Sequence, residues 1–137
     1  MAIEQTLVFI KPNSVQKKIV GKILTRYEEK GLSLVALKQM SLTRELAEKH
    51  YAEHKEKPFF DSIVTSITAS PVVAMVLEAP QVIAIVRLMN GVTNGAIAQP
   101  GTIRGDFAVD FTDNVVHASD SVENAQREIT LFFPELG

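Results

Sequence analysis

The chain has 137 residues and no cysteine, with a net charge of −2 and a pI of about 5.9. Apolar residues make up 46% and charged residues 22%, a composition typical of a soluble globular protein and not of a disordered one. The acidic balance argues against a nucleic-acid-binding surface, and the lack of cysteine excludes disulfide and thiolate chemistry. The N-terminus has no signal-peptide pattern, and no apolar run reaches about 20 residues. We therefore expect a cytoplasmic protein without membrane contact.

The first half of the chain alternates predicted strands and helices. β-Forming residues predict strands over 6–10 and 32–40, and apolar residues at helical spacing predict a helix between them, capped by Gly31. Thr43 is a candidate N-cap for the next helix. Pro58 is expected in the first turn of the helix after that one.

The second half begins with the most apolar predicted strand, at 72–77. Pro80 is predicted to open a helix that Gly91 closes. Residues 92–113 show no periodicity, and a loop of this length in a compact domain is usually functional.

A short strand at Val115 and Val116 is predicted to end at His117. Asp120 and Glu123 are spaced as a capping box for the last helix. The resulting order, β-α-β-α-α-β-α-loop-β-α, predicts one α/β (α+β) sandwich domain over 1–137. We expect a ferredoxin-like split βαβ fold, with a four-stranded antiparallel sheet covered by helices and a long functional loop before the last strand.

His117 lies where the last strand meets the last helix, a position at which a cleft commonly forms. From the residues alone it is a nucleophile, a base, a metal ligand or a packed ring. Glu128 lies at the margin of the apolar stripe of the last helix, where a desolvated carboxylate needs a partner. Pairing with one imidazole nitrogen would leave the other free to attack, although Glu128 could equally face water.

Several cationic or hydroxyl side chains stand near predicted element ends. Arg104 lies among flexible residues of the long loop and suits a guanidinium fork over phosphate oxygens. Lys11 directly follows the first strand, Arg87 ends the helix before the loop, and Thr93 adds a hydroxyl. Each one alone is more simply a solvated surface group, and their value lies in the combination.

Two other kinds of site are discounted. His50 and His54 have the i, i+4 spacing of metal ligands, but the HExxH pattern is absent and no third ligand is evident. Neither a Walker A loop nor a GxGxxG motif is present. We therefore predict no protein-held metal and no nucleotide site of either of those two types.

Taken together, five segments resemble the nucleoside diphosphate kinase family, and the resemblance covers essentially the whole chain. Their order and spacing make the resemblance specific. The segments are IKP at 10–12, YAEHKEKPFF at 51–60, SPVVAMV at 70–76, GTIRGDF at 101–107 and NVVHASD at 114–120.

The resemblance implies a ping-pong transfer of the γ-phosphate between nucleotides through a phosphohistidine at His117, with Mg²⁺ bridging the nucleotide phosphates. It implies that Glu128 holds the other ring nitrogen and that Ser119 supports this carboxylate. Phe59 is implied to stack on the base, which predicts broad base specificity. The other implied nucleotide contacts are Lys11, Tyr51, Ile63, Arg87, Thr93, Arg104, Phe111 and Asn114.

The chain departs from the family pattern beside these residues. Ala118 replaces a glycine, and alanine would strain the backbone by about 1 kcal/mol if that position required positive φ. Gly95 replaces a loop proline, which we expect to loosen the segment carrying Arg104. Asn13-Ser14 replaces Asp-Gly, and Ala79 replaces another glycine.

Alternative functions stay open at this stage. One is a catalytically weak relative that binds nucleotides or a protein partner as a regulatory module. The other is a ferredoxin-like nucleic-acid binder, which the acidic pI disfavours. The family resemblance also implies a homo-oligomer, either tetramer or hexamer, that binds nucleoside di- and triphosphates.

Overall fold

The computed structural model describes residues 2–136. No helix in that range is long and apolar enough to cross a membrane. Short 3₁₀ turns lie at Ala52–His54 and Pro134–Leu136. The strands are β1 Ile3–Ile10, β2 Ser33–Met40, β3 Val72–Pro80 and β4 Val116–Ala118. The helices are α1 Pro12–Gln16, α2 Val20–Lys30, α3 Arg44–His50, α4 Phe60–Thr68, α5 Val82–Asn90, α6 Ile103–Phe107 and α7 Val122–Phe132.

The four strands form one antiparallel sheet in the order β2-β3-β1-β4. β1 and β2 run parallel with β3 between them, and β3 and β4 run parallel with β1 between them, so the sheet holds two split βαβ units. The predicted fold class is confirmed. β1 lies at the centre, and its register sets Phe9 opposite His117.

The sheet is buried on both faces, which explains the continuous apolar runs at residues 7–10 of β1 and 72–77 of β3. On one face, Val8 and Ile10 pack with Ile23 and Tyr27 of α2 and with α5. On the other face, Leu7 and Phe9 join α3, α4 and Phe132 of α7. Because His117 and Phe9 point to this second face, the site lies over the layer formed by α3, α4 and α7.

Three predicted helix starts are wrong. α4 begins at Phe60, so Pro58 lies in the turn before it. Pro80 is the last residue of β3, and Gln81 in the left-handed region (φ 60°) precedes α5. Asp120 does not cap α7, because the cap is Ser121, whose hydroxyl accepts from the Asn124 backbone N–H at 3.1 Å. In each case the predicted residue, a proline or an acid, is of a type common at helix starts. The helix nevertheless begins one or two residues further along the chain.

The caps at Gly31, Thr43 and Gly91 are confirmed, but two short helices were not predicted. α1 follows β1 directly, and α6 lies inside the segment predicted to be a loop. Thr102 caps α6 by accepting from the Gly105 backbone N–H at 3.0 Å. Five-residue helices are too short for a hydrophobic period to reveal.

Candidate active site

His117 is held by one ring nitrogen on a buried carboxylate. Its Nε2 lies 3.0 Å from Oε1 of Glu128, which is 4% exposed on α7. The Ser119 hydroxyl donates to the same oxygen at 2.7 Å, and in turn accepts from the Leu7 backbone N–H at 3.1 Å. Because a neutral imidazole that donates from Nε2 carries its lone pair on Nδ1, this pairing assigns the tautomer. Within residues 2–136, Nδ1 has no hydrogen-bond partner.

The His117 ring is also packed on two sides. Phe9 stacks on it at a centroid distance of 4.9 Å and an interplanar angle of 20°. The His50 ring meets it edge-on at 4.5 Å and 83°. Burial first, and then the neighbouring His117, Arg127 and Lys11, lower the pKa of His50 far below its ordinary value, so His50 is neutral. The imidazole of His117 is therefore fixed in orientation before any ligand arrives.

Potential metal ligands do converge here, although not the pair considered from the sequence. One ligand atom each from His50, His117 and Glu128 lie within 4.8 Å of one another. However, the Glu128 carboxylate already accepts two hydrogen bonds and lies 3.7 Å from Arg127 Nη2. Mg²⁺ prefers oxygen ligands and keeps several waters, so two imidazoles and one engaged carboxylate do not fit it.

A cleft of about 690 Å³ opens in front of His117. Most residues predicted to contact the nucleotide line it: Lys11, Tyr51, Arg87, Thr93, Arg104 and Asn114. Three of these carry positive charge, which suits a ligand with several phosphates. Ser119 lies behind the cleft, fully buried against Glu128.

Lys11 enters the cleft from the end of β1. Its Nζ donates to Asn114 Oδ1 at 2.5 Å, so the lysine and the amide form one polar wall. Burial, and then the neighbouring charge of Arg104, lower the pKa of Lys11 to about 8. The amine is therefore poised to lose its proton just above neutral pH in the absence of a ligand.

We expect nucleotide affinity to fall as the pH rises from 7.5 to 9. The Lys11 amine loses its proton through about 8, whereas bound phosphates stabilise the protonated form, so binding requires proton uptake. One pH unit above the pKa only about a tenth of the Lys11 amine is protonated, so ATP binding should be roughly 10-fold weaker there. Calorimetric titration across this range measures the effect. Lys11→Arg stays charged throughout and should flatten the profile, and an unchanged wild-type affinity would contradict the role of Lys11.

Arg104 projects from α6 and is engaged mainly by backbone carbonyls. Its Nε donates to Asn114 O at 3.0 Å, its Nη1 to Gly91 O at 2.8 Å, and its Nη2 to Val116 O at 2.7 Å. Arg87 differs, because it forms no hydrogen bond or salt bridge with any residue in 2–136. The two guanidiniums are thus anchored very differently in the same cleft.

Tyr51 follows the last residue of α3 and lines the cleft beside His50. Burial first, and the negative charge of Glu128 second, raise the pKa of Tyr51 far above its ordinary value. Its hydroxyl therefore keeps its proton and is available as a hydrogen-bond donor.

The three predicted base contacts lie outside the walls of the cleft around His117. Phe59 is 45% exposed and Phe111 is 63% exposed. Ile63 is partly buried on α4. The Phe59 ring lies 5.9 Å from the ring of His54, which does line the cleft. Two exposed aromatic rings near a polar cleft are suited to contact a flat ligand group that stays partly hydrated, and less suited to a ligand group that is fully buried.

The sequence and structure of the chain match one family of known proteins. A family model described as nucleoside diphosphate kinase matches residues 4–136. The chain belongs to the nucleoside diphosphate kinase family. A nucleoside diphosphate kinase of Thermus thermophilus is 58% identical over 95% of this chain and 95% of its own length.

Two further members of the nucleoside diphosphate kinase family show the extent of the similarity. A cytosolic nucleoside diphosphate kinase of Dictyostelium discoideum is 56% identical, covering 95% of this chain and 84% of that one. The structure of a Halobacterium salinarum nucleoside diphosphate kinase in complex with CDP superposes with a TM-score of 0.93. It is 47% identical and covers 96% of this chain and 88% of that one.

The departure from the family pattern beside His117 does not strain the backbone. Ala118 lies in β4 opposite Val8 and is not among the residues with positive φ. Its side chain is 8% exposed and packs in the core. Because φ at this position is not positive, the alanine does not cause the strain considered from the sequence.

Gly95 is closely packed rather than a point of looseness. Its N–H donates to Asp110 O at 3.0 Å. A Cβ at this position would lie 2.5 Å from the Ala108 Cβ and 2.6 Å from the Ala108 carbonyl oxygen. The expectation that this glycine loosens the segment carrying Arg104 is not supported. Because Gly95 has no side chain, the loop segments around residues 95 and 108 can pack directly against each other.

Sequence reasoning missed two residues of this nucleoside diphosphate kinase-like site. His50 was considered only with His54, yet it is 3% exposed and contacts His117. Its place on the apolar face of α3 was the signal that it points inward. Arg127 lies 3.7 Å from Glu128 and donates to Lys49 O at 3.2 Å, which joins α7 to the end of α3. No local pattern indicates that contact.

Proposed function

We propose that this protein transfers the terminal phosphate of a nucleoside triphosphate to a nucleoside diphosphate through a phosphohistidine at His117. The observation that carries the proposal is the arrangement of the imidazole, which lines the cleft: Nε2 is held by Glu128 at 3.0 Å, whereas Nδ1 has no hydrogen-bond partner among residues 2–136. Membership of the nucleoside diphosphate kinase family supports the substrate class.

Each half-reaction is one displacement at phosphorus. The Nδ1 lone pair attacks the γ-phosphorus, the N–P bond forms, and the bond from phosphorus to the bridging oxygen breaks to release the diphosphate. A terminal oxygen of the second diphosphate then attacks the same phosphorus, the new O–P bond forms, and the N–P bond breaks so that its electron pair returns to Nδ1 and His117 is regenerated. Positive charge develops on the ring in the first step, and the Glu128 carboxylate on Nε2 stabilises it. Ser119 keeps that carboxylate in place.

Charge neutralisation is the other requirement of phosphoryl transfer. We assign it to Lys11, Arg87 and Arg104, with Tyr51, Thr93 and Asn114 as polar contacts to the sugar and phosphates. Mg²⁺ arriving with the nucleotide phosphates would supply the remaining positive charge. The cleft offers cations for phosphate and few free carboxylates, which supports a metal held mainly by the nucleotide and water.

We assign the base to the exposed aromatic side of the cleft. Phe59 stacks on it there, with Ile63 and Phe111 nearby. A stacking surface contacts the face of a base and does not read its edge, so the enzyme accepts different bases. This arrangement accounts for broad specificity without a dedicated hydrogen-bonding pocket.

Phe59→Ala should therefore raise KM by a similar factor for ATP, GTP and CTP. Losing a half-exposed stacking ring is worth about 1 kcal/mol, which corresponds to roughly 5-fold in KM. Steady-state kinetics with the three nucleotides measure it. Ile3→Ala, which removes an apolar side chain that is 60% exposed at the start of β1, is the control. A change confined to one base would mean that the base is read by its edge.

The reaction itself is tested by following the phosphate. Incubation with γ-labelled ATP and Mg²⁺ should give a protein-bound label that is stable in base and labile in acid, as expected of a phosphohistidine. Adding GDP should then move the label to GTP. A folded protein that binds ATP but takes up no label would favour the regulatory relative instead.

Three properties of the whole protein belong to the same proposal. A single domain over 1–137 is supported by the family match at 4–136 and by a sheet that uses strands from both ends of the chain. A homo-oligomer, tetramer or hexamer, is supported by β2, an edge strand whose Val35 and Leu37 are 40% and 46% exposed. A cytoplasmic location is supported by the cytosolic relative.

A further inference from the structure

Val115, two residues before His117, has an unusual backbone. Its φ is +73°, and its side chain is fully buried. The Val116 N–H donates to Asn114 O at 2.8 Å, which closes a three-residue γ-turn around Val115. The γ-turn with positive φ is rare and strained, and a β-branched residue makes it more so. Such a conformation persists only where the surrounding structure imposes it.

Every carbonyl of this turn is held by a group of the cleft. Val115 O accepts from the Lys11 backbone N–H at 2.9 Å. Arg104 takes the other two, with Nε on Asn114 O at 3.0 Å and Nη2 on Val116 O at 2.7 Å. Its Nη1 is bound to Gly91 O, at the end of α5. The guanidinium therefore brackets the turn and ties it to a helix end.

The turn sets the direction of two side chains of the proposed mechanism. Asn114 enters it with Oδ1 on the Lys11 amine. His117 leaves it in β4, directly after the carbonyl that Arg104 holds. If the turn relaxed to an ordinary negative φ, the chain would leave it in a different direction and shift both side chains.

We infer that Arg104 is a positioning residue, which clamps the strained Val115 turn and thereby orients His117 and Asn114. Three of the five guanidinium N–H groups serve this purpose, which leaves two for phosphate oxygens. Lysine would keep the charge, but its single nitrogen cannot reach three carbonyls arranged around a planar fork. The kinetic consequence rests on the proposed function, whereas the strain itself does not.

The strain is tested by comparing glycine with alanine at two adjacent positions. Val116 is the matched control, because it is equally buried but is not among the positive-φ residues. In ordinary strand geometry glycine is less stable than alanine, whereas at positive φ the order is reversed or lost. We expect Val115→Gly to melt no lower than Val115→Ala, and Val116→Gly to melt several degrees below Val116→Ala. An equal glycine penalty at both positions would overturn the strained turn.

The clamp is tested with Arg104→Lys and a phosphodonor that lacks a nucleotide. Phosphoramidate offers one phosphoryl group without base, sugar or outer phosphates. We expect its labelling of His117 to fall roughly 10-fold or more in Arg104→Lys, since small misplacements of a nucleophile are costly. The His117 ring resonances should also shift or broaden in NMR spectra of the nucleotide-free protein. Arg26→Lys is the control, because Arg26 lies on α2 and forms a salt bridge with Asp106, which is on the same helix as Arg104.

The outcomes separate this inference from the proposed function. Wild-type rates with phosphoramidate and unchanged His117 resonances in Arg104→Lys, with a loss only with ATP, would make Arg104 a nucleotide contact alone and overturn the clamp. If the wild type takes up label from neither donor, the proposed function fails. In that case the melting comparison and the His117 resonances still decide between a clamped and an unclamped turn.

Discussion

Replacing His117 with alanine is expected to abolish both the labelled phosphoenzyme and nucleotide exchange, with a loss of at least about 10⁴-fold. The loss should be this large because both half-reactions pass through the same nitrogen. Nucleotide binding should remain measurable, since Lys11, Arg87 and Arg104 are untouched. Rapid-quench labelling with γ-labelled ATP, together with calorimetric binding of ADP, measures the two effects separately.

The control for this variant lies within the same sequence. The chain has three histidines, and His54→Ala should still take up label because its ring does not contact His117. Thermal melting checks that the His117→Ala protein is folded, because the missing ring leaves space beside Phe9. A folded His117→Ala protein that still carries acid-labile label would place the nucleophile elsewhere.

Glu128→Gln should reduce the rate of phosphoenzyme formation about 100-fold, with little change in nucleotide affinity. Glutamine has nearly the same shape, so the buried site stays filled. With its amide NH₂ toward His117, Nε2 must accept and the proton moves to Nδ1, which blocks the attacking nitrogen. With its oxygen toward His117, the negative charge that stabilises the ring is lost, and the NH₂ faces Arg127. Either orientation lowers the rate without touching the ligand.

Single-turnover labelling at saturating ATP measures this rate, and calorimetry measures affinity. Glu123→Gln, which changes an exposed carboxylate on the same helix, is the matched control. A Glu128→Gln rate within a factor of two of the wild type would show that the carboxylate only satisfies the buried site and does not activate the histidine.

The sequence predicted the parts of the fold that hydrophobic periodicity or a helix-capping residue determines. The strand at β3 is a continuous apolar run, and Gly31 ends α2 with φ +97°, as a left-handed cap requires. The pairing of β1 between β3 and β4 follows from no single segment, and the order of elements predicted only the split βαβ class. The start of α7 was missed because two adjacent residues, Asp120 and Ser121, are both good caps, and tertiary contacts decide between them.

The site was predictable where chemistry and spacing agreed, and not where it depends on distant contacts. The pairing of His117 with Glu128 was one of two alternatives from the residues alone, since a desolvated carboxylate on a helix face needs a partner, and the family resemblance selected it. The contact of His50 with His117 joins residues far apart in the sequence, and the carbonyls held by Arg104 belong to three separate positions. Backbone acceptors carry no signal in the residue type, so a side chain that binds them looks like any other cation.

The contact between Gly95 and Ala108 has a consequence for engineering and for divergence within the family. The family resemblance implies a proline at position 95, and loop prolines are a common route to thermal stability. Here a proline would remove the N–H that bonds to Asp110 O and place ring atoms against the carbonyl of residue 108. The two positions therefore constrain each other, and a consensus substitution at one is expected to require a backbone adjustment at the other. Gly95→Pro is therefore not a substitution that this loop can accept alone.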